Sequence, residues 1–266
     1  MTAQKDLTHS TDAYTPQEVA LLVEAGGTRK ANMPALKTIT LGVLAGAYIA
    51  FGAMFYTLIM ADQSLGFGIG RLLGGLVFSM GLILVVIGGA ELFTGNNLIV
   101  MAWADRQVST RALLRNWSMV YAANFAGALG SALIMHFSGS LEIGGNAVGE
   151  MAVAIATAKL ELPASQAFLK GVLCNMLVCL AIWLSYAAHS VSGKILAIIF
   201  PISAFVALGF EHSIANMYLI PIGMLNGAPA DIAGLLGNLL FVTLGNIVGG
   251  SVCVALVYWL VFLRRA

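Results

Sequence analysis

Two short stretches place ionising and hydrogen-bonding groups inside apolar runs. "GFEHSIAN" (209–216) sets Glu211, His212 and Asn216 close together, and "GGAELFTGNN" (88–97) sets Glu91, Thr94 and Asn96 in similar surroundings. In both, a Glu stands five residues before an Asn. An imidazole, a hydroxyl and amides can hold a small polar solute or pass a proton. His212 has a plainer alternative, a core imidazole satisfied by a backbone carbonyl. The matching of the two clusters favours a role facing a permeant. Glu91 and Glu211 read as structural acceptors that hold loop N–H groups or the neighbouring Asn96 and Asn216.

The elements around these groups decide what they can do. The chain has 266 residues, of which 59% are hydrophobic and 9% charged, with a mean hydropathy of +0.91. A soluble domain carries about a quarter charged residues, so the composition indicates an integral membrane protein. Apolar segments run over 38–61, 72–101, 112–137, 167–189, 195–224 and 233–263. Each is long enough for a crossing of about 20 residues, which predicts an all-α protein with six transmembrane helices. The two polar clusters interrupt the second and fifth. Strand alternation is absent, against an outer-membrane barrel. A net charge of +1 with no basic stripe excludes nucleic acid as partner. Cys174, Cys179 and Cys253 lie in apolar runs without metal-ligand or disulfide spacing.

Residues 1–37 read as a polar, amphipathic lead-in, and 38–266 as one transmembrane domain. Within the lead-in, Thr15 caps a helix with Pro16 at its first position, and Val19, Leu22 and Val23 share a face. Basic residues (Arg29, Lys30, Lys37, Arg106, Arg111, Arg115, Lys194, Arg264, Arg265) favour alternate connections, which places both termini in the cytoplasm. The polar first 30 residues hold no cleaved secretory signal.

The two halves resemble each other. "GVLAGAYIAF" (42–51) pairs with "GVLCNMLVCL" (171–180), and "NWSMVYAANFAGA" (116–128) with "NLLFVTLGNIVGG" (238–250), aligning Asn116 and Asn124 with Asn238 and Asn246. Three spans per half force the second copy to enter from the other side. The pattern is an inverted repeat with broken second and fifth helices meeting at a midplane site. Irregular backbone at membrane depth must line a cavity or be buried in protein. Half-helices starting near Thr94 and Ser213 would present positive ends to an anion or polar molecule. A haem or metal site at His212 lacks partners, because His136 and His189 lie near span ends. Neither break carries an Asn-Pro-Ala signature of aquaporins, and paired core histidines of ammonium channels are missing.

"FEHSIANM", "ELFTG", "FLKGVLCNMLVCLAIW" and "VTLGN" together resemble the formate/nitrite transporter family, in its order and spacing and over the whole chain from the lead-in onward. The resemblance implies an aquaporin-like six-helix protomer in a homopentamer of the prokaryotic inner membrane, each protomer with its own pore, with no cofactor and no enzymatic activity. It implies that His212 is the central histidine, Thr94 the loop threonine, Lys159 the vestibule lysine and Asn175 its partner asparagine. It further implies that Phe78, Leu82, Leu92 and Phe205 form the apolar constrictions. The substrate is then a small monovalent anion of a weak acid, with formate ahead of nitrite or hydrosulfide. A bare anion in a dry apolar slit faces a cost of order tens of kcal/mol, so the protonated acid is the expected crossing species. Its proton comes from His212 or from solvent.

Overall fold

The computed structural model describes residues 13–264; the first twelve residues of the lead-in and Arg265 lie outside the described residues. Apart from one isolated bridge, Ala13 with Ala188, the described residues form helices and turns only.

Helix α1 (Pro16–Ala31) starts where local chemistry dictates. Thr15 is extended, its hydroxyl accepts from the Glu18 N–H, and the Glu18 carboxylate accepts from the Thr15 N–H at 2.8 Å. This reciprocal capping box satisfies donors the first turn would leave open. Helix α2 (Ala35–Ala61) follows Pro34, and α3 (Phe67–Gly88) ends at Gly89, whose φ of 81° turns the chain aside. Residues 89–94 carry no helix; a 3-10 stretch (Gly95–Ile99) and the short α4 (Val100–Ala104) follow. Helix α5 (Thr110–Phe137) is capped by Ser109.

The second half holds α6 (Ala147–Leu160), α7 (Ala164–Ala187), α8 (Val191–Ala207), α9 (Ser213–Leu225) and α10 (Ile232–Ile247). A π-helical stretch (Val248–Leu256) and α11 (Val257–Phe262) continue α10 to its end. Gly209, at φ 70°, separates α8 from α9.

Among the described residues, five helical runs are long and apolar enough to cross a bilayer: α2, α3, α5, α7 and Ile232–Phe262. The sequence segment 72–101 thus contains a span that stops at Gly88. The segment 195–224 is divided between α8, of 17 residues, and α9, of 13. Helix α6 is an addition to the sequence reading. At 14 residues it reaches only about 21 Å, too short to register as a span. Lys159 lies in its last turn, and does not open the helix that starts after Pro163.

The long helices meet backbone to backbone. A Cβ on Gly46 or Gly127 would collide with the carbonyl of Asn124 or Val43, across α2 and α5. A Cβ on Gly245 or Gly249 would strike the Phe168 or Val172 carbonyl, across α7 and the α10 run. Without a hydrophobic drive between helices in lipid, such close dispersion contact holds them together. Helix α1 is also packed on protein. Val19, Ala20 and Val23 are buried, and Gly27 touches the backbone of Ile99 in the 3-10 stretch.

Helix α1 carries one charge conflict. Burial pushes the Glu24 carboxyl up to about 7, and Asp105 adds to the rise as hydrogen-bond partner and as like charge. A carboxyl whose docked pKa exceeds its ordinary value holds more proton when docked. Docking of α1 is therefore strongest below the ordinary value of about 4.3 and weakens as pH rises through 7. Hydrogen–deuterium exchange, corrected for intrinsic rates, should show α1 better protected near pH 5 than near pH 8. Glu24→Gln should flatten that difference; an unchanged difference in the variant would contradict the assignment.

Candidate functional site

The irregular segment 89–94 is held by a network that starts at a buried carboxylate. Glu91 is 3% exposed. One of its oxygens receives the Lys30 ammonium at 2.6 Å and the other the Asn96 amide at 2.8 Å. Asn96 also donates to Asn116 Oδ1 at 2.9 Å, and Asn116 donates to the Lys30 carbonyl at 3.1 Å, closing a ring. Asn124 then fixes the backbone. Its amide donates to the carbonyls of Gly42 (2.7 Å) and Glu91 (2.9 Å), and its oxygen accepts from the Phe93 N–H at 2.9 Å.

Every bond recurs at the second irregular segment. Lys159 meets both oxygens of Glu211, at 2.9 and 3.0 Å. Asn216 donates to Glu211 at 2.7 Å and to Asn238 at 2.8 Å, and Asn238 donates to the Lys159 carbonyl at 2.9 Å. Asn246 donates to the carbonyls of Gly171 (2.8 Å) and Glu211 (2.9 Å), and accepts from the Ser213 N–H at 2.9 Å. Two buried carboxylates would be untenable alone; a cation and amides on each make them tolerable.

The scaffold is repeated but the groups it presents are not. One residue after each glutamate stand Leu92 and His212; three residues after stand Thr94 and Ile214. His212 and Thr94 meet, with Nε2 3.0 Å from Oγ1. The tautomer follows from the other ring nitrogen, since His212 Nδ1 accepts the Ala215 N–H at 3.0 Å as the cap of α9. A nitrogen that accepts carries no proton, so on the neutral ring Nε2 bears the hydrogen and donates it to Thr94. The Thr94 hydroxyl keeps its own hydrogen to donate elsewhere.

Thr94 is fully buried and anchored from behind. Its carbonyl accepts from the Asn175 amide at 3.2 Å and the Cys179 thiol at 3.5 Å. The second amide hydrogen of Asn175 goes to the Asn246 carbonyl at 2.7 Å, so Asn175 serves the Thr94 backbone and not Lys159. The Phe205 ring stacks on His212, with centroids 5.9 Å apart and 19° between planes, and Phe78 meets Phe205 edge to face at 5.6 Å.

Two cavities approach this centre. One, of about 550 Å³, is bordered by Lys30, Glu91, Leu92, His189 and Lys194. The other, of about 430 Å³, is bordered by Arg71, Phe78, Lys159, Lys170, Phe205 and His212. Leu82, Thr94 and Asn175 are buried and line neither cavity. Among the described residues no group of three His, Cys, Asp or Glu could hold a metal ion.

Lys30 is the residue that sequence reasoning passed over, as a charge on a surface helix. A signal existed. Lys30 stands twelve positions before Gly42 (42 − 30), as Lys159 stands twelve before Gly171 (171 − 159). Helix α1 therefore serves the first half as α6 serves the second.

A family model described as "Formate/nitrite transporter" matches residues 17–260. The "Formate channel FocA" of Escherichia coli (strain K12) is 37% identical over 274 residues, covering 96% of both chains. That of Haemophilus influenzae is 39% identical, covering 92% of this chain and 93% of the relative. A solved structure titled "Pentameric formate channel with formate bound" matches with a TM-score of 0.80 at 39% identity, over 86% of this chain and 98% of that one. These relatives are channels, not enzymes. With that match along nearly its whole length, the chain belongs to the formate/nitrite transporter family.

Proposed function

We propose that the protein carries formate across the prokaryotic cytoplasmic membrane, crossing its narrowest part as formic acid. The observation that carries this reading is the Thr94–His212 hydrogen bond, set among buried apolar side chains between two cation-bearing cavities. In this reading α8 and α9 make one broken crossing, α3 and the 3-10 stretch another, and the two halves run in opposite senses. The α1 cavity faces the cytoplasm, as do both termini, and the Lys159 cavity faces the periplasm. Five copies assemble, as in the pentameric neighbour, and each copy of this chain has its own pore.

Formate arrives as an anion. An ammonium has three donors, and Glu211 takes two from Lys159, leaving one to meet the anion. Lys30 gives one donor to Glu91 and has two left to meet an anion from the other cavity. Phe78 and Phe205 on one side, and Leu82 and Leu92 on the other, exclude water, and a bare charge there is very costly. The Thr94 O–H donates to one formate oxygen, and His212 sharpens that donor through Nε2–H. The other formate oxygen takes a proton from vestibule water, leaving hydroxide behind. A neutral His212 is a poor source, since losing its one N–H would leave an imidazolate. Lys159, Asn175, Glu91, Glu211, Asn96 and Asn216 hold this geometry. Nitrite and hydrosulfide share the weak-acid chemistry and serve as comparison substrates in the flux assay below.

In proteoliposomes, Thr94→Val should lower formate flux by roughly tenfold or more, the worth of a buried hydrogen bond. His212→Asn should slow flux while leaving its pH profile in place. A profile that flattens in His212→Asn would assign the proton to the imidazole and reject solvent as its source. Nitrite or hydrosulfide fluxes well above that of formate would reassign the substrate.

Lys30→Gln should destabilise the protein by about 3–5 kcal/mol, because Glu91 is left buried and unpaired. Adding Glu91→Gln should restore much of that loss in detergent melting curves. Purely additive losses would show that the pair is not a coupled unit.

A further inference from the structure

The cavity over the second network holds more positive charge than Lys159 supplies. Arg71, Lys159 and Lys170 line it with Glu211 as the one carboxylate. Glu211 is already committed, to Lys159 through both oxygens and to Asn216. Among the described residues the ion pairs within 4.0 Å are Lys30–Glu91 and Lys159–Glu211, so Arg71 and Lys170 face this space without a carboxylate.

Arg71 is fixed at the cavity wall, and Lys170 borders the cavity from α7. The Arg71 guanidinium lies 5.4 Å from the Phe67 ring centroid. One of its nitrogens is 3.4 Å from where a Cβ would stand on Gly209, so it rests against the turn that precedes Glu211. Lys170 is half-buried, and its carbonyl accepts the Glu211 N–H at 3.3 Å. The other cavity has a single lysine beyond its own ion pair, Lys194. The two approaches thus differ: two unpaired permanent cations on one, one on the other.

We infer that Arg71 and Lys170 form an outer anion site that takes a small dianionic carboxylate or oxyanion, which occupies the cavity without crossing and blocks formate from that face only. The inference rests on reading this cavity as a formate vestibule. A guanidinium matches a carboxylate in a two-pronged geometry, and a second cation balances the second charge. One proton makes formate neutral but leaves a dianion charged, so the step at Phe78 and Phe205 stays closed to it. Cations that merely reach for the membrane interface along their apolar stems would bind nothing and block nothing.

Malonate is the probe, used with the full-length protein in two assays. Titration calorimetry on purified protein reads binding independently of transport. Formate flux, with malonate added to one face at a time, reads the block. Malonate should bind, and should compete with formate from the Lys159 face only. Arg71→Gln and Lys170→Gln should each weaken binding by roughly tenfold, and Arg71→Lys, which keeps the charge, should retain most of it.

The inference is overturned if wild-type protein that carries formate neither binds malonate nor is blocked by it. It is also overturned if both Gln variants bind malonate like wild type, or if the block is equal from the two faces. Binding that depends on Arg71 and Lys170 in a protein that carries no formate would keep the site and reject the formate reading.

Discussion

Two buried carboxylates, Glu91 and Glu211, dictate how this apolar chain can leave helical geometry. Burying either side chain without polar partners would be very costly. Each is met by a lysine and an asparagine, and the second asparagine of each half ties its backbone to a neighbouring helix. That compensation lets the chain leave helical geometry at 89–94 and 209–212 without exposing unsatisfied backbone to an apolar setting. It also accounts for α1 and α6, the short helices that deliver Lys30 and Lys159.

On this symmetric frame the chemistry is deliberately unsymmetric. Equivalent positions carry Leu92 and His212, and Thr94 and Ile214. Leu92 thus keeps apolar the position that His212 occupies in the other half. A single Thr–His pair results, and the direction of its hydrogen bond is fixed by the α9 cap on His212 Nδ1. The aromatic side chains packed around it make a bare charge costly there.

Much of this was legible in the sequence, for physical reasons. Polar residues in apolar runs are costly and therefore informative, which brought out Glu91, Glu211, His212 and Thr94. The equal spacing of Asn116 and Asn124 with Asn238 and Asn246 exposed the recurring scaffold. Their hydrogen-bond partners stayed hidden, because a bond from Asn124 to Gly42 or from Asn246 to Gly171 joins residues far apart in the chain. Helix α6 escaped because hydropathy detects length and apolarity together, and a 14-residue helix lacks the first. Lys30 escaped because a lysine on a charged helix has a ready solvent explanation, and only its distance to Gly42 argued otherwise. The resemblance implied Asn175 as the partner of Lys159; that it instead holds the Thr94 carbonyl required coordinates.

If formate crosses as formic acid, no net charge passes the narrow part of the protein, and coupled flux measures this. Proteoliposomes with a formate gradient, a clamped membrane potential and an internal pH dye report formate and proton movement together. Passage as formic acid requires one proton entering with each formate, and a rate independent of the potential. Formate uptake that follows the potential without matched acidification would show that the anion itself crosses, and would contradict it.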